Sequence, residues 1–306
     1  MFDLSLQDVW RTVGRMTGIL RKLHLYMAVP AILLFSVFFV LPLAQGINIS
    51  LTDWTGTRPA YNYVGFQNFI DFFQDDRAFH ALKITLIFGL ISPVLLNLFG
   101  LIYALLMDLK LVGRGLVRTI IYLPVIISPL IMGYIFLIML NSNGGAIPSI
   151  LNGVGLSSLY KDWLASPHDA IWVIIIVNLF QFVGGPMIIY LAGLQSVPSE
   201  VKEAASIDGA NYFQTLWHVT MPLLIPAIRI NVITNIIGSL GVFDVIVSLT
   251  NGGPGYWTES LSMYIYRVSF EGQTGYATAV GVILFVVVLI PVAGALSLLK
   301  KADYDS

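Results

Sequence analysis

Glu203-Ala204-Ala205-Ser206-Ile207-Asp208-Gly209-Ala210, running on through Met221-Pro222 to Pro226, is a polar insert between two long apolar segments. It is too short to be a domain, so it has to be explained by something it touches. Of the 306 residues, 57% are hydrophobic and only 11% charged, where soluble domains carry about 25% charged residues. That composition makes the chain an integral membrane protein. Its 16 basic and 17 acidic residues nearly cancel, leaving no overall field to recruit nucleic acid. The lack of cysteine excludes disulfides and thiolate metal sites.

Outward from the insert, runs near the roughly 20 apolar residues that a bilayer core requires lie at 25–46, 84–107, 116–140, 171–194, 227–250 and 276–299. The expectation is an all-α membrane protein of about six helices. Pro93, Pro124, Pro129, Pro186 and Pro291 fall inside these runs, which predicts kinked helices whose freed carbonyls meet neighbours or a cavity. The run at 25–46 is too long for a signal-peptide core and has no convincing small-residue cleavage site after Pro42, so it reads as a retained span. Before it, residues 1–24 space apolar side chains at three- and four-residue steps and read as a cytoplasmic amphipathic leader on the membrane surface. After it, 47–83 is a mixed, aromatic-rich extracytoplasmic loop. Placing the N-terminus inside puts ten Lys and Arg on cytoplasmic flanks against five outside, with Arg229 within a span. That bias predicts cytoplasmic termini and a cytoplasmic insert.

Within the insert, Ser199 is placed to cap a helix over 200–207, with Glu200 in its first turn. Gly209 after Asp208 permits a left-handed turn. Asn211 and Gln214 have the spacing of a capping box for a second short helix, which Pro222 is expected to stop. The alternative is a capped connector between two spans with no further role. However, Glu203-Ala204-Ala205, then Asp208-Gly209-Ala210, then Met221-Pro222 and Pro226 resembles the EAA loop of permease subunits from binding-protein-dependent ABC importers, the maltose-type carbohydrate permeases in particular. Leu216, Val219 and Met221 depart from that family's commonest residues while keeping an apolar surface. The resemblance implies that 196–222 is a coupling loop inside a permease core of 84–306. Glu203, Ala204, Ala205, Asp208, Gly209 and Pro222 would then meet the cleft of a separate ATPase. The chain has no Gly-Lys pair and hence no P-loop, so ATP and magnesium are expected on that partner, with no cofactor, metal or catalytic residue here.

Asn231, Asn235 and Ser239 stand at steps of four, on one helical stripe, and Asn178 and Gln181 share a face one helix earlier. Polar side chains inside a membrane point at a bundle interior or a wet cavity. Amides there suit a hydroxyl-rich solute, with Phe180 or Phe243 to stack on it. The alternative is hydrogen-bonded glue between helices. Asp244 and Arg229 are fifteen residues apart in the fifth run and too distant to pair within one helix. Asp244 is kept as a further candidate on the path.

Thr250-Asn251-Gly252-Gly253-Pro254-Gly255 is turn-rich and outward-facing in this topology. It resembles the Gly-Gly-Pro loop of carbohydrate-importer permeases. That implies that Gly252, Gly253, Pro254, Tyr256 and Trp257 border the docking surface for an extracytoplasmic solute-binding protein; otherwise the run is a tight membrane-edge turn. The whole resemblance implies one subunit of a sugar or oligosaccharide importer in a bacterial inner membrane. It would work by alternating access, paired with a second homologous permease and two ATP-binding subunits. Glycerol phosphate or polyols are the alternative cargo. An intramembrane enzyme is disfavoured because four scattered histidines form no H-E-x-x-H and there is no G-x-S-x-G. A secondary transporter should show inverted repeats and more midplane charge.

Overall fold

The computed structural model describes residues 28–109 and 112–304. The leader expected at 1–24 lies outside them. Among the described residues the protein is helical throughout, with an isolated bridge between Thr52 and Tyr63 and no strand. Three helices are each long and apolar enough to cross a membrane: α1 (Ala28–Ile49), α3 (Asp76–Asp108) and α14, whose apolar part is Thr274–Leu299. Between α1 and α3 lies the short α2 (Gln67–Gln74).

The remaining apolar runs are broken. α4 (Arg114–Ile126) and α5 (Pro129–Met139) meet at 101°, and α7 (Pro167–Phe182) meets α8 (Gly184–Ser196) at 44°. α10 (Tyr212–Leu223) meets α11 (Ile225–Leu240) at 69°. The kinked helices expected over 116–140 and 171–194 are therefore pairs of helices bent at a break. The one expected over 227–250 stops at Leu240, and Asp244–Leu249 is a separate helix, α12.

Two of the breaks carry a local signature. Ser128 precedes Pro129, and the proline ring drives it to an extended conformation (ψ 134°). The Ile127 carbonyl freed there accepts a 2.8 Å bond from Gln181 Nε2. At the α7–α8 break a Cβ on Gly184 would stand 2.7 Å from the Ile121 carbonyl oxygen and 2.8 Å from Tyr122 Cα. Only glycine admits α4 that closely. Gly133 has the same role between α5 and α12, where a Cβ would lie 1.8 Å from Ser248 Oγ.

α3 is the central post. Asp75 caps it, accepting from the Arg77 and Ala78 amides at 2.9 and 3.0 Å. Its 33 residues span about 50 Å at 1.5 Å each. Near its middle, the Pro93 carbonyl is taken up by Asn97 Nδ2 at 2.7 Å. It packs chiefly on α8 and α11. One apolar core gathers Phe88, Ile174, Ile175, Ile246 and Met263; a second gathers Met107, Met187, Leu191, Leu194 and Leu224, toward the other end of α3. α6 (Ala146–Gly153) and α13 (Leu261–Phe270) lie in the connections before α7 and α14, and α9 (Ser199–Ile207) precedes α10.

Candidate functional site

Halfway along the bundle, α3, α7, α8 and α11 enclose a cavity of about 240 Å³. Asn178, Asn231, Asn235 and Ser239 all line it, together with Thr234, Leu96, Phe182 and Pro186. The four-residue steps of α11 put the polar stripe on the face turned to α8, and the α7–α8 bend opens space opposite it. Asn178 Oδ1 accepts from Ser92 Oγ at 2.8 Å, and Asn231 Nδ2 donates to the Pro186 carbonyl at 3.3 Å. Asn231 Oδ1 and Asn235 Nδ2 are buried with no partner among the described residues. One acceptor and one donor four residues apart are thus left for a hydrogen-bonding solute, a state costly to maintain without a compensating use. No residue of this lining is charged.

Two of the path candidates lie elsewhere. Gln181 is fully buried and binds the α4–α5 break, because the Ile127 carbonyl freed there takes up its side-chain amide. Asp244 is exposed at the start of α12, beyond the end of α11. Nor do the expected stacking rings line the cavity: Phe180 packs edge-on against Phe136, and Phe243 lies tilted against Tyr266. Phe182 is the aromatic residue of the lining. Ser92 and Thr234 were missed in the sequence; Ser92 is 86 residues from Asn178, and no local pattern links them.

At the Asp108 end of α3 stands the α9–α10 hairpin. α9 begins after Pro198, so Ser199 is its first residue and does not cap it. Gly209 turns left-handed at φ +83°. The Ala210 amide closes back on the Ala205 carbonyl at 2.9 Å, the wide bond of a glycine-terminated helix. Asn211 and Gln214 make the reciprocal capping box at 3.0 and 2.8 Å. Pro222 does not stop the second helix. It sits in the first turn of its last segment, and the chain bends at Leu224, because proline is tolerated where no helical amide is needed. Glu203 and Ala204 are exposed, Ala205 half-buried, and Asp208 and Gly209 exposed. Around them Ile207 (86% exposed), Phe213 (69%), Trp217 (62%) and Tyr212 (58%) form an apolar surface unsuited to water. Sequence reasoning passed over these four, because the capping and glycine signals of the insert do not tell which of its apolar side chains stay uncovered. The hairpin is tied to the cavity helices at its base, where a Cβ on Gly193 of α8 would lie 2.7 Å from Leu224 Cδ2 and 2.9 Å from Ala227 Cβ.

At the opposite end of α3, residues 250–260 form a folded loop. Thr258 Oγ1 bonds the Gly253 carbonyl and meets Thr250 Oγ1, both at 2.8 Å. Asn251, Gly252, Gly255 and Tyr256 all have positive φ. Tyr256 and Trp257 are exposed at its tip, and Trp257 stacks edge-on with His80 at 5.0 Å. Beneath the tip, Tyr264 and Tyr276 both donate to Asp75 Oδ2. Burial opposes charge at Asp75, but those hydroxyls and the capped amides hold its carboxyl below the usual carboxylate range.

Residues 96–301 match the family of binding-protein-dependent transport system inner membrane components. The multiple sugar-binding transport system permease protein MsmF of Streptococcus mutans is 35% identical over 279 residues, covering 91% of this chain and 95% of its own. The trehalose/maltose transport system permease protein MalF of Thermococcus litoralis is 32% identical over 268 residues, covering 88% and 90%. Among solved structures, a bacterial alginate ABC transporter in complex with an alginate pentasaccharide-bound periplasmic protein contains a chain 27% identical. It superposes with a TM-score of 0.80 over 94% of this chain and 97% of that one.

Proposed function

The chain belongs to the family of binding-protein-dependent transport system inner membrane components, and from that premise we propose that it is the permease subunit of an ATP-driven importer for a neutral sugar or oligosaccharide. The observation that carries the cargo is the uncharged, amide-lined cavity halfway along the bundle, with one unpartnered acceptor and one unpartnered donor. Hydroxyl groups both donate and accept, so a sugar satisfies Asn231 Oδ1 and Asn235 Nδ2 together. A phosphate ester would bring charge to a lining that offers no cation. The sugar transport named for MsmF and MalF supports the same class.

In this reading both termini are cytoplasmic, six spans count each bent pair once, and the α9–α10 hairpin docks through Glu203–Asp208 and the aromatics beside them into a separate ATPase. Gly193 packs α8 onto the base of α11, so displacement of the hairpin moves two walls of the cavity as one body. Swinging the cavity from mostly inward to mostly outward takes on the order of 5.5 kcal/mol of differential interaction. The sequence carries no P-loop to supply it; the partner ATPases do. A second homologous permease completes the pathway, and a solute-binding protein delivers cargo at the Gly252–Trp257 loop.

Uptake by the assembled complex in proteoliposomes, challenged with maltose, trehalose, longer neutral oligosaccharides, alginate oligosaccharides, a polyol and glycerol phosphate, tests the cargo. Neutral sugars should be imported, and Asn235→Ala should change the ranking among them. Import of glycerol phosphate alone would overturn the reading.

A further inference from the structure

The most heavily built polar cluster of the described residues lies outside the cavity, around Glu259. Its side chain is 1% exposed, at a position that composition and spacing leave unremarked. Arg77, in the first turn of α3, grips it with two parallel bonds, Nε to Oε2 at 2.7 Å and Nη2 to Oε1 at 2.9 Å. Arg267 of α13 reaches Oε1 with its Nε at 3.2 Å. The same Arg267 extends its Nη2 to the Asn251 carbonyl at 2.6 Å and to Asn251 Oδ1 at 3.3 Å. The Tyr256 ring closes the stack 3.8 Å from the Arg77 guanidinium and 5.5 Å from that of Arg267.

One buried carboxylate thus answers to two guanidiniums from two elements, and the Tyr256 ring faces both guanidiniums. A buried pair of this kind contributes little net stability, because desolvation consumes most of its attraction. What it does supply is direction, since a forked arginine–carboxylate contact admits one geometry. The clamp joins Glu259 to α3 through Arg77, and Arg267 of α13 ties Asn251, at the other end of the loop, to the same carboxylate. α3 then continues to Ser92 and Leu96 beside the cavity.

We propose that Glu259 is a positioning residue for the docking of the solute-binding protein. It holds Tyr256 and Trp257 at a fixed place over the outer turn of α3, so that the loop meets the solute-binding protein in one conformation. This rests on the reading of the Gly252–Trp257 loop as the docking surface. Without the carboxylate the two guanidiniums repel each other, Asn251 loses its anchor, and the tip no longer presents one conformation to its partner.

The test is ATP hydrolysis by the full complex in proteoliposomes, titrated with binding protein loaded with the sugar that wild-type vesicles import. Glu259→Gln should raise the KM for loaded binding protein about tenfold, the equivalent of one decade of docking affinity, while kcat at saturation holds. Arg267→Gln leaves the forked Arg77 pair in place and should raise KM by less than E259Q does. It decides the matter if E259Q fails to assemble. Tyr256→Ala and Trp257→Ala, at exposed positions, should also raise KM. An unchanged KM in E259Q, or in R267Q where E259Q does not assemble, overturns the positioning role. So does a loss confined to kcat, which would mark a merely structural ion cluster. If Y256A and W257A leave KM unchanged, the docking reading itself fails, and that outcome is distinct from failure of the clamp.

Discussion

Substituting Gly209 probes whether the α9–α10 hairpin works as a rigid knob. Its φ of +83° is closed to proline, whose ring holds φ near −65°, a swing of about 150°. Gly209→Pro also removes the amide that bonds the Ser206 carbonyl at 3.1 Å, worth about 1 kcal/mol. It further excludes the helical conformation observed at Asp208 (φ −71°, ψ 0°), because the residue before a proline is pushed to extended geometry. The turn cannot form. Gly209→Ala differs sharply: nothing lies within 4 Å of a Cβ placed there, so its cost is only the left-handed conformation, roughly 1 kcal/mol. That shifts the turn's population by about fivefold. No residue of α9, and none of Tyr212–Thr215, is buried, so both variants should insert and accumulate like wild type. In an uptake assay on vesicles matched for subunit level, G209P should abolish transport while G209A loses no more than about fivefold. Wild-type uptake by G209P would refute the rigid-hairpin reasoning. G209A as inactive as G209P would show that the methyl group, and not the turn angle, is what matters.

Phe213→Ala and Trp217→Ala remove exposed rings from the hairpin, and each should weaken recovery of the ATPase with the detergent-solubilised permease by at least about 2 kcal/mol, as buried aromatic anchors do. Intact co-purification from both would remove this face from the interface. Gly184→Ala places a methyl group against the α4 backbone and should destabilise the purified chain by about 1–3 kcal/mol, read as a lower melting temperature; an unchanged value would mean that α4 yields freely. Asp75→Asn should lower the melting temperature at pH 7. The folded carboxyl is depressed, so its contribution is complete above the unfolded value of about 3.9 and is lost as pH falls through the lower folded value. The gap between variant and wild type should therefore close below about pH 4, and a gap constant to pH 3 would assign the effect to shape alone.

The membrane class, the positions of the long apolar runs and the helix, glycine turn and capping box of the insert were determined by the sequence alone, whereas the Ser199 cap and the stop at Pro222 were not realised. Bilayer length, the helical period and capping are short-range constraints: a glycine after Asp208 or an Asn-x-x-Gln box acts on backbone within five residues. The α11 stripe was legible for the same reason, since one helix carries it. Its surroundings were not, because Pro186 reaches Asn231 from α8, and Ser92 of α3 reaches Asn178 on α7. Only the tertiary structure decided that Gln181 serves the α4–α5 break, that Asp244 begins a separate helix, and that Glu259 is buried between two arginines, one of them 182 positions away. A proline or glycine marks where a helix is free to bend, but the angle it takes is set by what packs into the opening. For the same reason Glu203 and its neighbours identify the insert, whereas its reach to the cavity depends on a glycine of α8 meeting the base of α11.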